Sequence, residues 1–559
     1  MFYDIFIFNF LKSNYRNLFL YFIAIFFNFP LESVAIPRLY GILFDKLNKF
    51  KNEKIENIYE NIRTMNVSGT ILLLFVVWII ITITYGFKHH LESILVPGYM
   101  NYIRKQLYEH TIQAYKENYT DVKAGEYLSR MLELMRNAKD LFQYSLGGFL
   151  PIMISMIFSI GYILYSDLKL GSVLLTALSL ATIIMYCSGL YLIDAVGKRE
   201  NYMNEVVNQG IQNSLDNLMN IYINNESEND IQHNKDVEDK GREMMRHIMF
   251  VQNIAITSSN CIAVLGYFTC LYLIYTYLKK SKLSTARTIA IIIILGNILG
   301  DATSITSGYI HNIIYKLGII DSAKPFMKDI FIDKSKRHIK SGITKGNVEF
   351  NDIVFRYDKN TEDVLFNKLN LKLTGGTKIG VMGRSGSGKT TLMKMLVGLY
   401  KPESGKITID GIDINEMDID YLRENVNYIN QRTQLFEDTI LYNMKYGNEF
   451  TDEEIVAKLK KYKLDTVFSD LPGGINANAG LNGGNLSGGM QKLTILMRGI
   501  LKKGNIVILD EPIAGLDKHT ITKVIDFVLH ETEGKTIMVI THDNSIMPYM
   551  DRVVDINNI

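Results

Sequence analysis

Long apolar stretches dominate the first three hundred residues of the chain. A helix needs about 20 consecutive apolar residues to cross a bilayer. Four stretches are predominantly apolar and carry no charged residue: 69–87, 145–166, 170–193 and 251–278. Two more, 18–44 and 288–315, are apolar but interrupted by ionisable residues. Buried helices of a soluble protein seldom reach this length, so we predict six membrane-spanning helices in residues 1–320.

The pattern changes after these stretches. Residues 321–345 are polar and contain one proline, which is typical of a linker. From 346 to 559, short apolar runs alternate with amphipathic helical patterns. This alternation predicts an α/β domain with a mainly parallel sheet. The expected fold is therefore multidomain, with an all-α transmembrane domain of six long helices followed by an α/β domain.

A phosphate-binding pattern stands in the α/β domain. Residues 378–383 (KIGVMG) predict a buried strand, and the spacing from Gly383 to Gly388, Lys389 and Thr390 is that of a P-loop. Its glycines let backbone N–H groups and the following helix N-terminus point at a phosphate. In such a loop the lysine reaches the β- and γ-phosphates and the threonine hydroxyl holds Mg²⁺. We therefore predict an ATP and Mg²⁺ site.

Two further strands end in residues suited to nucleotide chemistry. Residues 505–511 (NIVILDE) end in Asp510 and Glu511, and residues 536–543 (TIMVITHD) bring His542 to a strand end. Ligands of open parallel sheets bind at these ends. Asp510 suits a partner of Mg²⁺, Glu511 an activator of the attacking water, and His542 a contact to the γ-phosphate. A surface acidic pair and a structural histidine are the alternatives.

A second helix start can also bind an anion. Residues 485–493 (NLSGGMQKL) place a serine and two glycines before a predicted helix. One ATP does not need two such helix ends. The segment is therefore either a plain loop-to-helix turn or a contact to the ATP of another molecule.

Composition narrows the function classes. The chain has 60 basic and 58 acidic residues and a net charge of +2, without the basic excess of a nucleic-acid binder. Its three cysteines, Cys187, Cys261 and Cys270, lie in apolar runs without metal-ligand spacing. We expect buried thiols in helices.

Residues 346–559 resemble the nucleotide-binding domain of ATP-binding cassette (ABC) transporters, because its motifs occur here in order. Residues 383–390 are similar to the Walker A loop, 486–490 to the signature motif, 506–510 to Walker B and 514–517 to the D-loop. The first half is more weakly similar, around 36–47 and 125–131, to the exporter-type membrane domain. A membrane domain followed by a P-loop ATPase domain is the order of a half-transporter.

The resemblance implies roles for individual residues. Glu511 corresponds to the catalytic base, His542 to the switch histidine, and Gln431 to a catalytic glutamine that senses Mg²⁺. The residues implied to contact ATP are Tyr357, Gly383, Arg384, Ser385, Gly386, Ser387, Gly388, Lys389, Thr390, Thr391, Ser487, Gly488, Gly489 and Asp517. The residues implied at Mg²⁺ are Thr390, Gln431 and Asp510. Tyr357 corresponds to the aromatic residue that stacks on adenine.

The family also implies a dimer, with a homodimer favoured over a heterodimer. Each ATP is then held by the Walker A loop of one subunit and residues 487–489 of the other. Three departures from the family pattern leave coupling and regulation open. Met490 replaces the usual glutamine, and Leu481 and Asn482 replace a usual Glu-Arg pair.

The connections between the apolar stretches predict the topology. Residues 88–144 and 194–250 are long, charged and helix-like, so we expect the helices to continue beyond the bilayer and return. Six spans leave both termini on one side, and the nucleotide site must face ATP in the cytosol. Basic residues in 88–144 agree with this orientation, whereas those in 279–287 do not.

ATP-driven export by an integral, multi-pass membrane protein is the function this sequence favours. An ABC-type channel or regulator is the alternative, and a soluble ATPase conflicts with the six spans. Glu32, Asp301 and His311 are candidates for substrate contact, because ionisable groups inside a membrane are costly. The alternative is that they pair internally or lie beyond the lipid. The substrate stays open between a lipid, a peptide, a drug-like cation and a metal–thiol conjugate.

Overall fold

Two structural units make up the chain. The computed structural model describes residues 4–51, 67–117, 124–280, 283–331, 337–357, 363–384, 386–430, 433–543 and 545–558. One unit contains Met1–Thr111 and Val122–Phe331, and the other contains Ile112–Asp121 and Ile332–Ile559. The sequence-based domain limits of 1–320, 321–345 and 346–559 stay a prediction.

The first unit is built from long helices. Among the described residues, six helices are long and apolar enough to cross a membrane: α1 (Tyr15–Asn48), α2 (Val67–Lys116), α3 (Tyr127–Ser166), α4 (Leu168–Asp216), α5 (Ser227–Lys279) and α6 (Thr285–Ser322). The predicted six-helix fold class is confirmed. Helices α2, α4 and α5 contain 49 to 53 residues. At 1.5 Å per residue they reach about 75 Å, more than twice the hydrocarbon thickness of a bilayer.

Several of these helices are interrupted by π-helical segments, which are frequent at functional sites. The segments are Leu31–Ala35 in α1, Ser145–Phe149 in α3, Met203–Asn208 in α4 and Ile305–Ile310 in α6. Short helical segments outside the six long helices are Asp4–Phe8, Asn9–Ser13, Leu218–Ile223 and Lys324–Ile330.

Apolar side chains on these helices face both the protein interior and the outside. Tyr21 and Ile25 of α1 are fully buried, whereas Phe26 is 62% exposed, as expected for a lipid-facing surface. The cysteines follow the same division, because Cys270 is buried but Cys187 and Cys261 are exposed. The expectation of three buried thiols is therefore wrong for two of them, since a membrane helix also presents apolar positions to lipid.

The second unit is an α/β domain, as predicted. Its strands are β1 (Val348–Phe355), β2 (Phe366–Leu373), β3 (Lys378–Met382), β4 (Ser404–Ile409), β5 (Ile412–Asp413), β6 (Val426–Ile429), β7 (Ile506–Asp510), β8 (Thr536–Ile540) and β9 (Arg552–Asp555). Five form a parallel sheet in the order β6-β7-β8-β3-β9. The other four form an antiparallel sheet in the order β2-β1-β4-β5, which the sequence pattern did not predict.

Helices cover the parallel sheet. They are α7 (Lys389–Leu396), α8 (Ile419–Asn425), α9 (Ile440–Lys445), α10 (Asp452–Lys461), α11 (Gly488–Ile500) and α12 (Lys518–Glu531). Short 3₁₀ turns are Asp465–Phe468, Gly474–Asn476, Leu481–Gly483, Met547–Tyr549 and Ile556–Asn558. Strands β7 and β8 are buried at every position, because a parallel sheet has helices on both faces. Since β8 pairs with both β7 and β3, the C-terminal ends of these three strands share one edge.

One carboxylate anchors the chain just before β1. Asp410 Oδ2 accepts hydrogen bonds from the backbone N–H groups of Thr344 (2.7 Å), Lys345 (3.0 Å) and Gly346 (3.0 Å). Its Oδ1 accepts from the backbone of Asn347 at 2.9 Å. Burial by itself would raise the pKa of Asp410, but these donors lower it to about 2.

Candidate nucleotide site

The shared edge of β3, β7 and β8 opens into a cavity of about 410 Å³. Its lining residues are Tyr357, Leu365, Gly386, Gly388, Lys389, Thr390, Thr391, Asp510, Glu511, Ile540 and His542. The structure therefore brings the predicted phosphate loop, the acidic pair and the predicted histidine into one site.

The phosphate loop depends on glycine at its turn into α7. Gly388 has φ +87°, and a Cβ there would lie 2.5 Å from the Phe366 ring. The Lys389 side chain is buried, and its Nζ donates to the carbonyl oxygens of Gly383 at 2.8 Å and Arg384 at 2.9 Å. Among the described residues, the buried Ser387 hydroxyl has no hydrogen-bond partner. A phosphate bound in the loop would offer this hydroxyl an acceptor.

Asp510 forms the floor of the site. It is 2% exposed, and its Oδ2 accepts from the Thr390 hydroxyl at 2.8 Å and from the Tyr428 hydroxyl at 3.3 Å. Burial raises the pKa of Tyr428, and the Asp510 charge raises it further, so the phenol stays a donor. Carboxylate and hydroxyl oxygens are the donors that Mg²⁺ prefers. Thr390 and Asp510 therefore fit the predicted metal.

Glu511 is held in an unusual backbone conformation. Its φ is +52°, in the left-handed region that costs a residue with a side chain ~1–2 kcal/mol. Its N–H donates to the Ile540 carbonyl at 2.8 Å. Its two carboxylate oxygens accept from the Thr541 hydroxyl at 3.0 Å and from the His542 backbone N–H at 3.2 Å. These bonds orient the carboxylate beside the cavity.

Tyr357 offers an exposed aromatic ring at the rim. The residue is 68% exposed, and its hydroxyl contacts the hydroxyl of Thr391 in the phosphate-loop helix. The ring stands edge-on to Phe355 and Tyr400, with centroids 5.3 Å and 6.0 Å away. Its face is therefore available for stacking on a base.

The remaining predicted ATP contacts are not among the lining residues. Ser487 caps α11 by accepting from the Met490 N–H at 3.3 Å, and Gly488 and Gly489 begin that helix. Asp517 caps α12 by accepting from the N–H groups of His519 and Thr520, both at 3.0 Å. Gln431 and Ser385 lie outside the described residues.

The departures near the signature segment have visible contacts. Leu481 is 71% exposed, and Asn482 has φ +55°, a conformation that asparagine tolerates. Gln491, which follows Met490, donates to the carbonyls of Gly483 at 2.9 Å and Leu486 at 3.2 Å. This side chain ties the helix to the preceding loop. The effect of the departures on coupling stays a prediction.

Sequence reasoning missed three residues at this site. Tyr428 and Thr541 bond the two carboxylates, and Lys492 is buried in α11 within the electrostatic field of both. Burial lowers the pKa of Lys492, whereas Asp510 and Glu511 act to raise it. Tyr428 lies opposite Ile508, two residues before Asp510, so its side chain faces the same side of the sheet. Only the pairing of β6 with β7 reveals this.

Known proteins resemble both parts of the chain. Residues 18–303 match the family model of the ABC transporter transmembrane region, and residues 366–514 match that of the ABC transporter. An export ATP-binding/permease protein of Rickettsia bellii is 25% identical over 525 residues, covering 90% of this chain and 88% of that protein. An ATP-dependent lipid A-core flippase of Saccharophagus degradans is 34% identical over 232 residues, 41% of this chain and 39% of that protein.

A solved structure shares the whole architecture. The structure of a bacterial Atm1-family ABC exporter with ATP bound has a TM-score of 0.81 to this chain and covers 97% of it, with 94% of that chain matched. At 18% identity the likeness concerns the fold. Six candidate spans precede an ATP-binding α/β domain, and each half matches its own family model. The chain therefore belongs to the ABC transporters, as an integral multi-pass exporter-type half-transporter whose ATPase is coupled to transport.

Proposed function

We propose that the protein works as a homodimeric exporter that hydrolyses ATP at two composite sites. One observation carries this proposal: the phosphate loop, Asp510, Glu511 and His542 line a single cavity, whereas residues 487–489 do not line it. A second copy turned head to tail supplies its own residues 487–489 to the ATP of the first. Two identical chains are then enough to complete both sites, because each chain supplies the phosphate loop of one site and residues 487–489 of the other.

Two arguments support outward transport with the nucleotide-binding domain in the cytosol. The relatives are named for export and for flipping lipid A-core, which supports outward movement. ATP is a cytosolic molecule, so the nucleotide-binding domain faces the cytosol. ATP binding favours the closed pair of cassettes, and hydrolysis removes that preference, so the two states differ in their affinity for nucleotide.

In the proposed site each residue has a defined task. Tyr357 stacks on adenine, and Lys389 exchanges its two carbonyl partners for the β- and γ-phosphates. Thr390 and Asp510, together with Gln431, would hold Mg²⁺, which would supply positive charge against the phosphates when bound. The remaining phosphate-loop residues, Gly383 to Gly388 and Thr391, contribute backbone or hydroxyl donors.

Glu511 is the general base of this proposal. Its carboxylate, oriented by Thr541 and the His542 N–H, takes a proton from the attacking water. The His542 imidazole contacts the γ-phosphate. Asp517, six residues after Glu511, caps α12 by accepting from the N–H groups of His519 and Thr520.

Mixed dimers test the composite sites. Lys389→Ala disables a phosphate loop, and Ser487→Arg blocks a signature segment. Two affinity tags allow purification of dimers that carry one copy of each kind. With the two substitutions on different copies, a head-to-tail dimer keeps one intact site and hydrolyses ATP. When one copy carries both substitutions and the other carries none, each site of a head-to-tail dimer contains one damaged half and hydrolysis is lost.

Sites built within one chain give the opposite result. The copy without substitutions then keeps its own site, whereas separating the substitutions damages both copies. That pattern contradicts the composite arrangement. A companion assay in sealed vesicles separates an exporter from a channel or regulator, because only an exporter uses ATP to accumulate a solute against its gradient.

A further inference from the structure

We propose that Glu32 and Asp301 form a binding site for a positively charged amino group of the transported molecule. The inference rests on the proposed export function and deepens it by naming a chemical class of substrate.

Four helices of the first unit converge on these two carboxylates. Glu32 lies in the π-helical segment of α1, and its Oε2 accepts from the Tyr85 hydroxyl of α2 at 2.7 Å. Asp301 of α6 accepts through Oδ2 from the Ser155 hydroxyl of α3 at 2.8 Å. The segment Leu31–Ala35, which carries Glu32, packs against both α3 and α6, the helices that carry Ser155 and Asp301. The two carboxylates therefore belong to one cluster.

Neither carboxylate has a basic partner among the residues that the structure describes. Lys88, close by on α2, is bound to Glu92 at 2.9 Å and to the Gly147 carbonyl at 3.1 Å. Arg38 of α1 lies over the Tyr162 ring, 5.7 Å from its centroid. Negative charge inside a membrane domain is costly without compensation. A ligand that carries positive charge removes this cost.

Buried polar atoms on α1 and α3, within about one helical turn of Glu32 and Ser155, also lack partners within the described chain. They are Asn28 Nδ2, Ser33 Oγ and Ser159 Oγ, in residues that are 1%, 3% and 0% exposed. Asn28 and Ser33 flank Glu32, and Ser159 lies one helical turn beyond Ser155. Folded proteins pair almost all buried polar groups. The positions next to Glu32 and Ser155 therefore keep hydrogen-bonding capacity that the described residues do not use.

Asn28 lies one helical turn before Glu32 on α1. Its Oδ1 accepts from the Thr84 hydroxyl at 3.0 Å, and the residue after Thr84 is Tyr85, which holds Glu32. Asn28 thus faces α2 one helical turn from Glu32, and its Nδ2 has no partner within the described chain. It can donate to a ligand atom or to a water molecule bound with it.

Helix α6 carries a polar exposed face next to Asp301. Its exposed residues on this stretch are Gly296, Asn297, Gly300, Ser304 and Ser307. A Cβ at Gly296 or Gly300 would meet no atom within 4 Å. By contrast, exposed residues of α1 and α2 include Phe22, Phe26, Leu72 and Phe75, which suit lipid. Small polar residues suit water rather than lipid, and Asn297 and Ser304 lie one helical turn before and after Asp301.

The groups present select an ammonium ion. Two carboxylates accept charge-assisted N–H bonds, and the hydroxyls and the amide complete the shell. No group of three metal-ligating side chains occurs in the described part of the chain. His311, the third sequence candidate, lies ten residues beyond Asp301 and contacts Gln252 instead. Because the surrounding helices are apolar, we infer an amine with an apolar body.

Equilibrium dialysis of the full chain in lipid nanodiscs tests this. The probes are phenylbutylamine and its uncharged counterpart phenylbutanol, with empty nanodiscs as background. The amine binds saturably and the alcohol binds at least about tenfold more weakly. Glu32→Gln and Asp301→Asn each weaken amine binding by on the order of tenfold or more.

Two kinds of control isolate the charge. Glu32→Asp and Asp301→Glu keep the carboxylate and retain most of the binding, which separates loss of charge from loss of fold. Asp194→Asn removes a 61%-exposed carboxylate that pairs with Lys198 on α4, and it leaves binding at the wild-type level.

The outcomes separate this inference from the export proposal. Equal binding of amine and alcohol, or full binding by Glu32→Gln and Asp301→Asn, overturns the amine site. ATP-driven transport of another solute without amine binding also overturns it, while export stands. Charge-dependent amine binding supports the site. If ATP–Mg²⁺ then neither releases the amine nor drives its accumulation in vesicles, the export proposal is the one that fails.

Discussion

Tyr428 gives the sharpest test of how the nucleotide site is built. Its hydroxyl donates to Asp510 Oδ2 at 3.3 Å, the oxygen that also accepts from Thr390 at 2.8 Å. Tyr428→Phe removes one oxygen atom and leaves the ring. We expect the substitution to loosen Asp510 and to weaken the binding of Mg²⁺ with ATP.

The size of the effect follows from the burial of Asp510. A hydrogen bond to a charged group contributes about 1.5–3 kcal/mol. Asp510 is 2% exposed, so water does not replace the lost donor, but the 3.3 Å separation indicates the weaker end of this range. A loss of about 1.5 kcal/mol corresponds to roughly a tenfold weaker affinity. Partners of metal ligands commonly have effects of about this size or larger.

The assay is ATP hydrolysis by the purified full chain across a Mg²⁺ titration. Tyr428→Phe shifts the half-saturating Mg²⁺ concentration upward by about tenfold, with a smaller change in rate at saturation. Tyr549→Phe is the matched control, since Tyr549 is 50% exposed and has no hydrogen bond from its hydroxyl within the described residues. Identical Mg²⁺ dependence in Tyr428→Phe and wild type would refute the idea that Tyr428 positions Asp510.

Three further predictions concern other parts of the second unit. Glu511→Gln lowers the hydrolysis rate by ~10²–10⁴-fold, and the variant still binds ATP. The control Glu533→Gln, at an exposed position, hydrolyses ATP at the wild-type rate. Brisk hydrolysis by Glu511→Gln contradicts the assigned base. Tyr357→Ala weakens ATP affinity by about 1–3 kcal/mol, measured by binding, with little change in rate at saturating ATP; unchanged affinity argues against stacking. Asp410→Asn lowers the melting temperature of the full chain at pH 7. Lowering of the Asp410 pKa from 3.8 to about 2 contributes at most roughly 2.5 kcal/mol to the free energy of unfolding. Because Asp410 is partly exposed, solvent screening reduces this contribution to roughly 1–2 kcal/mol. Because the folded pKa is the lower one, this stabilisation is present above the unfolded pKa and is lost as the pH falls toward 2, so the difference between variant and wild type must shrink on acidification.

The membrane spans and the phosphate loop could be predicted from the sequence, because both are local. A bilayer of fixed thickness selects a contiguous run of apolar residues, and each predicted run lies inside one of the six long helices. Likewise, β3 ends at Met382 and α7 begins at Lys389, so the phosphate loop is local and its residue spacing alone indicates its chemistry. The apolar runs before Glu511 and His542 form β7 and β8, as their local sequence pattern predicts.

Contacts between distant segments were decided only by the tertiary structure. Pairing of β8 with both β7 and β3 brings the phosphate loop, Glu511 and Thr541 to one edge, and pairing of β6 with β7 adds Tyr428. The antiparallel sheet likewise depends on partners chosen along the whole domain.

Glu32 and Asp301 show the same division inside the membrane unit. The sequence by itself marked both as costly charges in apolar helices. Only the packing of four helices showed that they share a cluster with Tyr85 and Ser155 and lack a basic partner within the described residues. A hydrophobic pattern determines which face of a helix is buried, but many partners satisfy that face equally well. The choice among them is made by side-chain shape and hydrogen bonding between segments that are far apart in the chain.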